Sequence, residues 1–223
     1  MSVKVKICGA TMPEQAQAIA ALGADYIGGI IEFPKSPRSV MRGMARKMRD
    51  AVEGVDRRGE PASRQGGRPF ARTQVVGVVV DVPFDRLGEL IEETGIRILQ
   101  LHGEETPEEV KRLKECGIEV WKAVTKENYT QYADIADRLL VDAQNPLHGA
   151  GGSGCVSDWA FAKQLVGEGY AVVLSGGLNS DNVQEGITRV QPFIVDASSG
   201  VESAPGIKDM AKVERFIGNA RRL

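Results

Sequence analysis

Apolar runs of strand length alternate along this chain with amphipathic stretches of helix length. The runs near residues 3–7, 25–31, 75–81, 96–101, 118–124, 138–142, 170–175 and 192–196 read as strands. Helical periodicity marks Pro13–Leu22, Phe84–Thr94, Pro107–Cys116, Asp158–Val166, Asn182–Arg189 and Lys208–Arg222, with N-cap signals at Thr106-Pro107 and Ser180-Asp181. Alternation of strand and helix implies a parallel sheet covered by helices. Eight repeats imply its closure into a barrel, so the expected fold is α/β, a single-domain (β/α)8 TIM barrel. A doubly wound open sheet is the structural alternative.

Two of the strand runs end abruptly in small residues. Val172-Val173-Leu174 gives way to Ser175-Gly176-Gly177, and Phe193-Ile194-Val195 to Asp196-Ala197-Ser198-Ser199-Gly200. Glycine and serine let the main chain approach an anion closely, and a following helix start adds partial positive charge. In a barrel of this kind the loops after the seventh and eighth strands form such a phosphate cradle. The first strand shows the two faces: Val3, Val5 and Ile7 suit the helix layer, while Lys4, Lys6 and Cys8 point inward, with Cys8 at the carboxyl end. A buried Lys6 needs an acid, and Asp142 and Asp196 are the two candidates.

Composition narrows the function classes. The 223 residues suit one domain, slightly short of the usual barrel of about 250. A net charge of -2 and a hydrophobic fraction of 42% offer no basic excess for nucleic acid or anionic lipid, which leaves a small molecule as the expected partner. No signal-peptide core opens the chain, and no run reaches the roughly 18 apolar residues of a membrane span. Cys8, Cys116 and Cys155 have neither disulfide nor zinc spacing, which fits a reducing cytoplasm. His102 and His148 are the only histidines and lack ligand spacing, so no metal is expected. Residues 54–73 carry five arginines among glycines and prolines with no period; they read as a mobile insertion on the face away from the chemistry, a solvated loop in preference to a nucleic-acid contact.

The strand ends are polar where the strands are apolar. They offer Cys8, Asp81, Gln100 with His102, Asp142, and the two small-residue loops. The proline-stiffened loop Glu32 to Ser39 presents Lys35 and Arg38, and a guanidinium so held makes a carboxylate clamp. Gly149 to Gly154, including Gly152 and Ser153, reads as a flap over the same face in preference to a loose connection before the helix that starts near Ser157-Asp158. Singly each has a bland reading: Cys8 a small core residue, His102 a structural histidine, Asp81 a helix cap, Arg38 a solvated side chain.

Lys6-Ile7-Cys8-Gly9, Phe33-Pro34-Lys35-Ser36-Pro37-Arg38, Gln100-Leu101-His102-Gly103, Gly151-Gly152-Ser153-Gly154 with Asp158-Trp159, Ser175-Gly176-Gly177-Leu178 and Asp196-Ala197-Ser198-Ser199-Gly200-Val201-Glu202, in this order, resemble the phosphoribosylanthranilate isomerase family of tryptophan biosynthesis. The resemblance spans nearly the whole chain. It implies an Amadori rearrangement of an aminoaldose to an aminoketose, two proton transfers with no redox cofactor, by a monomer or homodimer. It further implies Asp142 as general acid, Cys8 as general base, Arg38 on the anthranilate carboxylate and Asp196 on a sugar hydroxyl. Gln100 and His102 would line the substrate, and Gly152, Ser153, Ser175, Gly176, Gly177, Ser198, Ser199 and Gly200 would hold the phosphate. The chain departs from the family at Gly29-Ile30-Ile31-Glu32, at Cys155, at Val80-Asp81-Val82-Pro83 and in the arginine-rich insertion.

The implied chemistry needs a thiolate and a protonated carboxyl group, although a free thiol titrates near 8.5 and a free aspartate near 3.9. Lys6 and the loop dipoles would favour the thiolate; partial burial and an anionic substrate would favour neutral Asp142. The nearest rival is the related histidine-pathway isomerase, which resembles this chain but carries an acid where Cys8 stands. Indole-glycerol-phosphate synthase would need a lysine and a glutamate at strand ends that lack them here. A barrel that binds phosphate without catalysis has no use for an acid and a base on opposite sides.

Overall fold

The structure is a computed structural model, and residues 3–53, 73–142 and 158–222 are described. The chain runs β1 (Lys4–Cys8), α1 (Pro13–Ala21), β2 (Tyr26–Ile31), β3 (Ser39–Val40) and α2 (Arg42–Glu53). It continues with β4 (Gln74–Val79), α3 (Phe84–Thr94), β5 (Ile98–Leu101), α4 (Pro107–Glu115), β6 (Glu119–Ala123) and β7 (Arg138–Val141). The last part holds α5 (Trp159–Gly167), β8 (Val172–Leu174), α6 (Val183–Val190), β9 (Ile194–Ala197), β10 (Glu202–Ala204), β11 (Ile207–Lys208) and α7 (Met210–Ala220). The parallel strands β1, β2 and β4 to β9 are hydrogen-bonded in a ring, because β1 pairs with both β2 and β9. This is the eight-stranded barrel that the apolar runs predict, not the open sheet. The short β3 extends β2 at its carboxyl end, and β10 and β11 form a separate antiparallel hairpin after β9.

Side-chain alternation divides the apolar residues into two cores. Ile7, Ile27, Leu99, Val120, Leu139 and Val195 face outward against helices, where full burial of each such side chain contributes roughly 1.5–3 kcal/mol. Tyr26, Val76, Ile98, Trp121, Leu140, Val173 and Ile194 form a second cluster inside the barrel. Tyr26 and Trp121 meet edge to face with ring centroids 4.9 Å apart, and the Lys4 ammonium lies 5.4 Å from the Tyr26 ring. Most of this cluster comes from the amino-terminal halves of the strands. It floors the barrel, and the inward polar residues stand above it.

The capping box at Thr106 forms as its sequence predicts: Thr106 Oγ1 accepts from Glu109 N at 3.3 Å and the Glu109 carboxylate accepts from Thr106 N at 2.7 Å. Ser180-Asp181 does not cap α6. The Asn179 carbonyl side chain takes the Asp181 and Asn182 amides, prolonging the turn so that the helix starts at Val183. Asp81 caps nothing either. Its backbone is left-handed (φ 51°), its Oδ1 accepts from Glu104 N at 2.7 Å, and α3 follows Pro83. Between β6 and β7 the described residues hold a 3-10 turn, Tyr129–Gln131, in place of an α-helix; Tyr132 next to it donates to the Glu105 carbonyl at 2.9 Å. Of the expected insertion, residues 54–72 lie outside the described residues, which flank it with α2 and Thr73.

Candidate active site

The carboxyl ends of the strands enclose a cavity of about 190 Å3. Cys8 from β1, Gln100 and His102 at the end of β5, Asp142 after β7, Ser175 after β8, and Asp196 and Ser198 from β9 and its loop all line it. Ile30, Phe33, Val78 and Val80 supply an apolar side. Period-two alternation is the cause: the inward residue of each strand above the floor lands in this space.

Lys6, fully buried, donates to Asp196 Oδ2 at 2.7 Å, so Asp196 and not Asp142 is its partner. Burial pulls the Lys6 ammonium down, but Asp196 and Cys8 more than offset this and hold it charged. Ser175 Oγ approaches the same Asp196 oxygen at 3.5 Å, whereas Asp196 Oδ1 is buried with no hydrogen-bond partner. Gln100 Oε1 is likewise buried and unpartnered. Two open acceptors at the wall of one cavity suit a ligand rich in hydroxyl donors.

Burial pushes the Cys8 thiol above its ordinary value; Lys6 and Lys208 pull it the other way and Asp196 adds to the rise. The Lys6 contribution therefore has the expected sign and is outweighed. Burial, helped by Lys6 and Lys122, lowers His102 to about 4, and its Nε2 lies 3.8 Å from Asp142 Oδ2. Arg38 lies along Gly9, where a Cβ would meet Arg38 Cδ at 2.6 Å and Ser198 Oγ at 3.1 Å; only a residue without Cβ, with φ at 82°, permits that approach. Lys35, on the same loop, is exposed.

The two cradle loops touch. A Cβ on Gly200 would overlap the Leu178 carbonyl oxygen, so the chain after β9 packs against the chain after β8. Gly176 and Gly177 adopt left-handed backbone, and Ser199 opens a short 3-10 turn. The amides of Gly176, Gly177, Ser199 and Gly200 make no hydrogen bond to another described residue, which leaves four donors unused. Gly152 and Ser153, with the rest of the glycine flap, His148 and Cys155, lie outside the described residues.

Two pairs escaped the sequence. Glu105 and Lys122, both buried, pair at 3.0 Å behind His102, and Glu105 also accepts from the Asp81 and Gly103 amides. Glu202 and Lys208 pair at 2.7 Å across the β10–β11 hairpin. Glu202 closes the motif that begins at Asp196, and the signal for its pairing with Lys208 is the tight turn Ala204-Pro205-Gly206 between them. Among the described residues no group of three or more His, Cys, Asp or Glu could hold a metal ion.

A closed parallel barrel with a thiol, a carboxyl group and the loop serines Ser175 and Ser198 around one cavity at its carboxyl end defines an enzyme of the TIM-barrel class. A model of the N-(5'-phosphoribosyl)anthranilate (PRA) isomerase family matches residues 55–219. The N-(5'-phosphoribosyl)anthranilate isomerase of Aquifex aeolicus is 40% identical over 216 residues, covering 96% of this chain and 97% of its own. The crystal structure of phosphoribosyl anthranilate isomerase from Thermotoga maritima superposes with a TM-score of 0.79 at 34% identity, covering 99% of this chain and all of that one. A further isomerase structure, in complex with reduced 1-(o-carboxyphenylamino)-1-deoxyribulose 5-phosphate, gives a TM-score of 0.76 at 32% identity, with 99% and 100% coverage. The chain belongs to the phosphoribosylanthranilate isomerase family, the aldose-ketose isomerases of tryptophan biosynthesis.

Proposed function

We propose that Cys8 and Asp142 carry the family's Amadori rearrangement in this chain, converting N-(5-phosphoribosyl)anthranilate to 1-(2-carboxyphenylamino)-1-deoxyribulose 5-phosphate. Asp142 protonates the furanose oxygen, and the ring opens to a Schiff base. Cys8 then removes the C2 proton, giving an enolamine that tautomerises to the aminoketone. The observation that carries this reading is the shared cavity: thiol, carboxyl group and the open Asp196 oxygen line one space. Asp196 Oδ1 accepts a sugar hydroxyl, Arg38 takes the ring carboxylate, and Gln100 and His102 line the substrate. Ser175, Gly176, Gly177, Ser198, Ser199 and Gly200, with Gly152 and Ser153, hold the phosphate. Burial keeps most Cys8 protonated, so the reactive thiolate is a minor form; a positioned base still contributes roughly 100- to 10,000-fold. One chain supplies every residue assigned, so the reading holds for monomer or homodimer, and the expected compartment is the cytoplasm. No helix among the described residues is long and apolar enough to cross a membrane.

Loss of substrate fluorescence in a coupled assay tests the proposal. Cys8→Ala and Asp142→Ala are each expected to lower kcat by about 100- to 10,000-fold while still binding the reduced product. Near-native turnover by both variants would make the assignment wrong. Binding of product without its formation by the unaltered protein would favour a non-catalytic barrel, and turnover of the histidine-pathway aminoaldose instead would favour that relative.

A further inference from the structure

Arg38 is already gripped from behind. Its Nε and Nη2 donate in parallel to the two carboxylate oxygens of Glu202 at 2.8 and 2.6 Å. Lys208 donates to Glu202 Oε1 at 2.7 Å and to the Ser198 carbonyl at 3.2 Å. The Gly206 amide, in the turn between β10 and β11, adds a bond to Glu202 Oε1 at 3.3 Å, while its carbonyl accepts from Thr11 and Gln15 after β1. The hairpin thus ties the Arg38 loop, the second phosphate loop and the exit of β1 into one assembly. Glu202 and Lys208 are both buried.

We infer that Glu202 is the positioning residue for Arg38, and that Lys208 is the counter-cation that leaves this cluster positively charged toward a substrate carboxylate. The inference rests on the isomerase reading of Arg38 given above. Geometry supports the first half. A long guanidinium side chain is rich in rotamers, and a bidentate grip on its Nε and Nη2 edge removes that freedom before substrate arrives. Nη1 is left without a hydrogen bond to any described residue. Charge supports the second half. Glu202 alone would cancel Arg38 and leave nothing to attract an anion; with Lys208 two cations surround one carboxylate. Burial alone would raise Glu202, but Arg38 and Lys208 together hold it below the ordinary carboxylate range, ionised at neutral pH.

Two compounds and two sites test this: the reduced product, and its analogue lacking the ring carboxylate, titrated against the unaltered protein and variants whose folding is checked by circular dichroism. Glu202→Gln keeps the shape and adds a net positive charge, which by simple attraction would tighten binding of any anion. Positioning predicts the reverse: the carboxylated compound weakens about tenfold or more and the other changes by less than about threefold. Lys208→Met is expected to weaken the carboxylated compound selectively, and Lys208→Arg to restore it to within about threefold. Where Glu202→Gln does not fold, Glu202→Asp, which keeps the charge and shortens the reach to Arg38, is expected to weaken the carboxylated compound and not the other. Unchanged or tighter binding of the carboxylated compound by Glu202→Gln would overturn the inference, because Glu202 would then be a bystander or a competitor. Equal weakening of both compounds would overturn it too, as general damage. Absence of turnover in the unaltered protein would instead remove the isomerase reading.

Discussion

Gln100 Nε2 lies 2.8 Å from His102 Nδ1. With the amide donating, Nδ1 accepts and the ring proton sits on Nε2, the atom facing Asp142. On the proposed role of Asp142 as general acid, a neutral ring suits the site better than an imidazolium, whose charge would favour the Asp142 carboxylate. The unfolded chain protonates this histidine below about 6.5, whereas the folded chain resists until about 4. More protons bind to the unfolded state in that window. Stability held fully above 6.5 therefore falls as pH drops toward 4, by up to about 3 kcal/mol from this residue. Urea unfolding at both ends of the window should show the loss, and His102→Asn should flatten it. The motif marks His102 as a lining residue, but its tautomer depends on which way Gln100 turns, which no sequence spacing records.

Among elements, the paired loops after β8 and β9 were legible because each apolar run stops in small residues. The hairpin β10–β11 was not. Its strands are two and three residues long, too short to show a period, and Glu202 and Arg38 stand 164 positions apart. The α6 cap was misread for a related reason: Ser180, Asp181, Asn179 and Asn182 all have capping side chains, and only the backbone path selects Asn179 to turn the chain. Contact between the two loops has a measurable consequence. Gly200→Ala sets a Cβ against the Leu178 carbonyl and pushes the loops apart. KM should rise by about tenfold or more while kcat stays within about threefold, and inorganic phosphate should inhibit the variant more weakly, as steady-state kinetics would report.

At the scale of the molecule, barrel closure was readable from eight apolar runs, while the partner of Lys6 was not, since Asp142 and Asp196 both end strands. Register decides it: Lys6 pairs directly with Asp196 where β1 meets β9. The ion pair thus spans a seam of the ring and lies wholly out of water. Removing one member leaves the other buried and uncompensated, so Asp196→Ala should cost about 3–5 kcal/mol. Lys6→Met combined with Asp196→Leu should recover most of that loss in denaturant titrations while leaving the enzyme inactive, which separates stability from catalysis at one site. The packed rings of Tyr26 and Trp121 beneath that pair carry a last implication. Among the described residues they close the interior below the site, so each aminoketose leaves by the carboxyl-end mouth through which its precursor entered before the next turnover can begin.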